Sequence, residues 1–305
     1  MNLSDFIARR KEQAEKRRVE AFIQRYIVAP TEQDRDLFFT SLFERQINRL
    51  LIAQHEQGAM IIPSNDRYIA REVFVHGAFQ DSTLREVHQI LQARRPDNMP
   101  DTLIDMGANI GVICIPAIAE GYFKRAIAIE PAPATARLLR ANIALYGLES
   151  VISVFETALS DCDGEVEFEL SADNWGDHRV SVVSEANALG ERERSKIRVP
   201  MCRFDALDCE VNPAKSLVWI DVQGYEGFVL AGAKNLTAAN TPMVVEIWPY
   251  GLDRAQSYQA LKTAIGGYKQ FILLGEKGEA APLADLDNLY DAMKLNMAHR
   301  DILLL

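Results

Sequence analysis

Leu103-Ile104-Asp105-Met106-Gly107-Ala108-Asn109-Ile110-Gly111 is the stretch whose reading decides the fold. An apolar run ends in an acid, passes through a glycine turn and opens the apolar segment Val112 to Ala119. A strand, a glycine turn and a helix N-terminus together present free backbone N–H groups and the positive end of a helix dipole to a ligand. Downstream, apolar runs at 126 to 130, 151 to 156, 217 to 222, 243 to 248, 269 to 274 and 301 to 305 read as strands, with helical patterns such as 133 to 146 and 255 to 264 between them. Strand and helix in alternation predict an α/β, Rossmann-like, mostly parallel sheet covered on both faces. The interval between the third and fourth core strands is too long for a plain connection. It carries strand-like runs at Val166 to Leu170, Val180 to Val183 and Ile197 to Met201, so a β-rich insertion is expected there, placed to cover a substrate.

Upstream, residues 3 to 27 and 32 to 57 show helical spacing, with Thr31 and Asp34 as a helix start after Pro30. Leu37, Phe38, Leu42, Phe43, Ile47, Leu50 and Leu51 form an apolar stripe expected to pack in the core. Met60 to Val75 reads as two extended runs around a Ser64-Asn65-Asp66 turn, and Ser82 opens a further helix. The proline-bounded segment Pro96 to Pro100 marks the expected boundary between a helical N-terminal extension with a short β element, residues 1–95, and a ligand-binding domain, residues 96–305.

The 305 residues are 48% hydrophobic and 25% charged, the proportions of an ordinary globular protein. A net charge of -10 disfavours a dedicated nucleic-acid partner. The first 30 residues are a basic exception, with seven Lys/Arg against four Asp/Glu. No apolar run approaches the roughly 20 residues of a spanning helix, and no secretory h-region is visible, so a cytoplasmic location is expected. Cys114, Cys162, Cys202 and Cys209 include no CxxC pair and read as buried reduced thiols.

A dinucleotide fingerprint, G-x-G-x-x-G, would place a glycine where Asn109 stands. The pattern D-x-G-x-x-x-G suits instead a ligand with no phosphate and a cationic amine, such as S-adenosylmethionine. Glu130, in Ile129-Glu130-Pro131, ends the second strand 19 residues after Gly111, where a carboxylate can accept from both hydroxyls of a ribose. Asp221, in Trp219-Ile220-Asp221-Val222-Gln223-Gly224-Tyr225-Glu226, ends a buried strand at the same sheet edge.

These blocks, with Asn142, Thr157-Ala158-Leu159-Ser160-Asp161 and the continuation through Val229-Leu230-Ala231-Gly232-Ala233, resemble the FkbM-type family of S-adenosylmethionine-dependent methyltransferases over roughly residues 100 to 250. The chain departs from the family at Gln223, where a glutamate is usual. The resemblance implies a seven-stranded sheet and methylation of an oxygen, a hydroxyl on a sugar, glycan or natural product. It implies that Gly107, Asn109 and Gly111 line the methionine part of the cofactor with Asp105, that Glu130 takes the ribose, and that Thr157 and Ala158 take the adenine edge. Asp161 would reach the adenine amine. Asp221 would contact the cofactor amine or act as base. His178, in Asp173-Asn174-Trp175-Gly176-Asp177-His178, is the first candidate base, ahead of Asp221, and stands beside a tryptophan able to pack on a sugar face. Asp221, Glu226 and Glu246 lack a recognisable metal-ligand spacing, so no metal is expected. The rival readings are an NAD(P)-dependent oxidoreductase and a catalytically silent protein that binds a partner, with the N-terminal helices as a candidate homo-oligomer surface.

Overall fold

Thr102 to Met106 is buried at every position, as are Ser216 to Ile220 and Met243 to Ile247. Apolar runs without alternation belong to strands covered on both faces. The computed structural model describes all residues except 1–2, 24, 26–29, 56–57, 185–188, 276–278 and 296–297. It places these three runs side by side at the centre of an eight-stranded sheet.

The N-terminal part comprises α1 (Leu3–Ile23), α2 (Glu32–Glu44), the hairpin β1 (Leu50–His55) and β2 (Gly58–Pro63), α3 (Ile69–His76) and α4 (Asp81–Arg94). The core follows with β3 (Thr102–Met106), α5 (Cys114–Ala119), β4 (Arg125–Ile129), α6 (Pro133–Leu145) and β5 (Ile152–Phe155). Next come the inserted strands β6 (Ala158–Leu159), β7 (Gly164–Leu170), β8 (Arg179–Val180) and β9 (Ser195–Cys202). The core resumes with β10 (Ser216–Ile220), α7 (Glu226–Ala231), α8 (Lys234–Ala238), β11 (Met243–Ile247), α9 (Pro249–Ala255), α10 (Tyr258–Ile265), β12 (Gln270–Leu273), β13 (Ala280–Pro282), α11 (Leu286–Lys294) and β14 (Arg300–Leu304).

The sheet runs β13-β12-β14-β11-β10-β3-β4-β5, with β14 antiparallel to both its neighbours. All seven expected core strands are present. The eighth, β13, is a three-residue edge strand ending in proline, too short to register as an apolar run. Chain order reverses between β3 and β10, and ligands of open α/β sheets bind at the carboxyl ends of the strands at such a point. The insertion forms its own sheet, β6-β9-β7-β8, between the third and fourth core strands as expected.

Three expectations for the N-terminal part are corrected. Residues 50 to 55 are a strand, so the second helix stops at Glu44, because the alternating burial of β1 competes with helical spacing. Residues 69 to 76 are helical, with Gly77 at φ 74 closing the helix. The apolar stripe is not the core: Leu37 is 51% exposed and Leu50 61%, while Phe39, one position off the stripe, is buried against Phe74. Positions 24, 26 and 27 of the expected first helix and 56 and 57 of the second lie outside the described residues. Cys162 is exposed, whereas Cys114 is buried as expected.

The expected boundary falls at the turn Pro96–Asn98, yet apolar packing runs across it, since Phe39, Met60 and Ile62 share one cluster with Leu103, Ile115 and Leu139. Asn142 pins the two parts together. Its Oδ1 accepts from the Ile61 N–H at 2.7 Å, and its Nδ2 donates to the carbonyls of Ile61 and Ile110 at 3.1 and 2.9 Å. Among the described residues no helix is long and apolar enough to cross a membrane.

A buried ionic network fixes the insertion to the core. Arg179, 1% exposed, meets Asp177 at 2.9 Å and Glu191 at 2.8 Å, and Arg254 of α9 meets Glu169 of β7 at 2.7 Å. Arg194 closes the network on Asp177. Removing one partner of such a set leaves a buried charge uncompensated.

Two stability outcomes follow. Ile62→Ala is expected to cost about 2–5 kcal/mol in chemical denaturation, whereas deleting residues 1–23, of which the described side chains are exposed, changes stability by no more than roughly 0.5 kcal/mol. Arg179→Met is expected to destabilise by about 3–5 kcal/mol, and a neutral effect would show that the ion pairs of Arg179 do not stabilise the insertion.

Candidate active site

The glycine turn after β3 is shaped by what lies against it. Gly107 adopts φ 98, and a Cβ there would stand 2.0 Å from the Asp221 carbonyl oxygen, so only glycine lets the two loops meet. At Gly111, φ 96, a Cβ would meet Ile115 and Leu139 at 2.5 and 2.9 Å, which makes it a helix-packing glycine. Asn109 stands between them at φ 49, a left-handed position that asparagine tolerates. Its Nδ2 donates to the Trp175 carbonyl at 2.9 Å, tying the turn to the insertion.

Glu130 is 5% exposed and holds the turn from the other side. Its Oε2 accepts from the Asn109 N–H at 3.1 Å and its Oε1 from the Ala132 N–H at 2.8 Å. Burial pushes its carboxyl up to about 7 against the pull of those two bonds. Asp105 lies deeper, with Oδ2 accepting from the Cys114 N–H at 3.2 Å, and burial likewise pushes it up to about 7.

A cavity opens over these groups. Gly107, Asn109, Glu130, Thr157, Ala158, His178 and Asp221 all line it. Three of the residues expected at the cofactor stand elsewhere. Asp105 and Gly111 act from behind the wall, one through the α5 N-terminus and the other through packing, and Asp161 is exposed and accepts from the Ser160 hydroxyl. Phe168, Val180 and Tyr225 complete the apolar lining. Sequence spacing could not find them, because Phe168 and Val180 come from the insertion and meet the site only through β7–β8 pairing.

His178 reaches the cavity wall stacked 5.7 Å from Trp175. Its Nδ1 accepts from the Ser171 N–H at 3.1 Å, which assigns the ring proton of the neutral form to Nε2. Burial, reinforced by the Arg194 charge, lowers its pKa to about 4. A ring so arranged is a hydrogen-bond donor at neutral pH and a weak base.

Asp221 shows the opposite chemistry. Gln223 Nε2 donates to Asp221 Oδ1 at 2.6 Å and to Glu246 Oε2 at 3.2 Å. Burial raises both carboxyls, and the neighbouring Asp221 charge raises Glu246 further. Asp221, Glu226 and Glu246 each bring an oxygen within 4.8 Å of the others, close enough to share a cation, a convergence that residue spacing did not disclose. The Gln223 amide spans two of the three.

A second cleft, lined by Tyr68, Phe79, Asn174, Gln223, Glu246 and Trp248, adjoins the cavity, and Gly176 and Asp221 line both.

The family model for the methyltransferase FkbM domain matches residues 105–265, more than half of the chain. No curated protein matches. Among solved structures, a methyltransferase FkbM from Methylobacillus flagellatus KT is 13% identical, with a TM-score of 0.43, over 68% of this chain and 44% of that one. The M. jannaschii tRNA m1G37 methyltransferase is 11% identical, with a TM-score of 0.37, over 85% and 54%. P. horikoshii TYW2 in complex with MeSAdo is 13% identical, with a TM-score of 0.38, over 84% and 69%. The chain thus spans about half the length of the first two of these structures.

The buried acids set a pH dependence. Asp105, Glu130, Glu226 and Asp301 are each pushed up to about 7 by burial. Between the unfolded carboxyl range near 4 and about 7, the native protein holds protons that the unfolded chain has released. The ligand-free protein is therefore expected to gain stability as pH falls from about 7 toward 5 and to lose it as pH rises through 7, read by denaturant midpoints across that range. Glu130→Ala is expected to weaken S-adenosylmethionine binding by about 1–3 kcal/mol in calorimetry, the scale of lost charged hydrogen bonds.

Proposed function

The chain belongs to the FkbM methyltransferase family, whose cofactor is S-adenosylmethionine, and on that premise we propose that it methylates a hydroxyl of a sugar, glycan or natural product. The observation that carries this reading is the meeting of the two cavities at Gly176 and Asp221. One chamber suits the cofactor, since Glu130 offers a carboxylate to a ribose beside the glycine turn. When bound there, the cofactor supplies a methyl group made electrophilic by its sulfonium. The other chamber takes the acceptor, and Asp221 faces both.

The protein's tasks are alignment and removal of one proton. Ionised Asp221 accepts the proton from the acceptor hydroxyl, and the hydrogen bonds from Gln223 and Glu246 stabilise it until then. His178 donates from Nε2 and shapes the wall with Trp175. Tyr68, Phe79 and Trp248 offer faces on which the C–H side of a sugar ring packs, and Asn174 and Gln223 offer amides to its hydroxyls. The carboxylates at the junction and the net charge of -10 act against a phosphate-rich acceptor. Val19, Phe22, Leu50 and Ile52, all at least half exposed, make the N-terminal part the proposed self-association surface.

The test incubates the protein with trideuteromethyl-labelled cofactor and a library of polyhydroxylated compounds, with the labelled atom located by NMR. Label on an acceptor oxygen supports the proposal, and label on nitrogen or carbon contradicts it. With the acceptor found, Asp221→Asn is expected to lower turnover by about 10² to 10⁴ while cofactor affinity is largely kept. Loss of affinity with unchanged turnover at saturation would assign Asp221 to the cofactor amine and contradict its role as base.

A further inference from the structure

Gln223 lies in a backbone position that side chains rarely adopt, φ 57, followed by Gly224 at φ 96. A residue other than glycine persists there only when its surroundings over-determine the turn. They do so here. Glu226 Oε1 accepts from the N–H groups of Val222 and Gly224, both at 3.1 Å, and Ser257 Oγ donates to the Gly224 carbonyl at 2.6 Å. A Cβ on Gly224 would lie 2.3 Å from the Gly251 backbone, so the turn is pressed against α9 with no room to relax. The turn therefore aims the Gln223 side chain at the ends of β10 and β11, where its amide has two N–H groups for two carboxylates.

We infer that Gln223 is a positioning residue of the reaction: its amide ties Asp221 and Glu246 into one hydrogen-bonded pair and presents Asp221 to the mouth shared by the two cavities. The inference rests on the reading of Asp221 as proton acceptor. A neutral donor to two neighbouring carboxyl groups stabilises negative charge on either without adding any. Charge is already abundant around it. Asp105, Asp177, Glu226 and Asp301 all bear on the pair. A glutamate in place of Gln223 would add a buried negative charge and remove the donor. An asparagine would keep an amide and tolerate the left-handed backbone, yet be one methylene too short to span both acids.

The test is an infrared pH titration of the protonated-carboxyl stretch in the full chain, with Asp221→Asn and Glu246→Gln identifying the bands of the pair. S-adenosylmethionine calorimetry on each variant serves as the measure of an intact fold. In Gln223→Asn the ionisation of Asp221 is expected to move to higher pH by about one unit, because the charged form loses a donor, and in Gln223→Glu by more. Cofactor affinity should stay within about threefold in both, since Gln223 is not on the wall of the cofactor cavity. An unmoved titration in both variants overturns the positioning role, and so does a collapse of cofactor affinity, which would make the residue part of the cofactor chamber. If Asp221→Asn and Glu246→Gln remove unrelated bands, the pair does not exist and the base reading fails separately.

Discussion

Desolvation of carboxylates at one edge of the sheet is the constraint on which the rest of the structure turns. Asp105, Glu130, Asp221 and Glu246 follow or end four neighbouring parallel strands, and packing takes all but the half-buried Asp221 out of water. Each would be costly as an isolated buried ion. The protein meets that cost in two ways: backbone N–H groups on Glu130 and Asp105, and an amide from Gln223 on Asp221 and Glu246. A ligand bearing a positive sulfonium and an amine relieves it further, and a dinucleotide with its pyrophosphate would aggravate it. The same electrostatics that make the free site uncomfortable select the cofactor.

The other parts serve that edge. The insertion covers the cavity with Phe168, Trp175, His178 and Val180, and it is fixed in place by an ionic network with Arg179 at its centre. The N-terminal hairpin supports the glycine turn through Asn142, which bonds to Ile61 and Ile110 together. Both supports converge on Asn109, whose backbone is held by Glu130 and whose side chain holds Trp175. A disturbance of either layer is thus transmitted to the turn that receives the cofactor.

The legibility of the chain in sequence followed the range of its interactions. The core strands could be read because burial on both faces writes continuous apolar runs, and Gly107, Glu130 and Asp221 because strand ends and glycine turns have local signatures. The N-terminal part misled for the same reason. Residues 50 to 55 carry a helix-compatible pattern, and only pairing with residues 58 to 63 makes them a strand. Asp105 was read as a ligand contact because an acid at a strand end looks alike whether it faces a ligand or caps the next helix. His178 was read as a base from its type and place, and neither discloses that the Ser171 N–H occupies Nδ1. The partnership of Asp221 and Gln223 with Glu246 joins neighbours to a residue 23 positions beyond Gln223 at the end of the next strand, so no spacing rule exposes it.

The most direct measurement of the central claim is a crystal structure of the protein with S-adenosylhomocysteine. The account predicts the ribose on Glu130, the adenine against Ala158 and Phe168, and the sulfur at the junction of the two cavities, facing Asp221. A ligand lodged outside the cavity, or bound in reverse with its adenine beside Asp221, would contradict it.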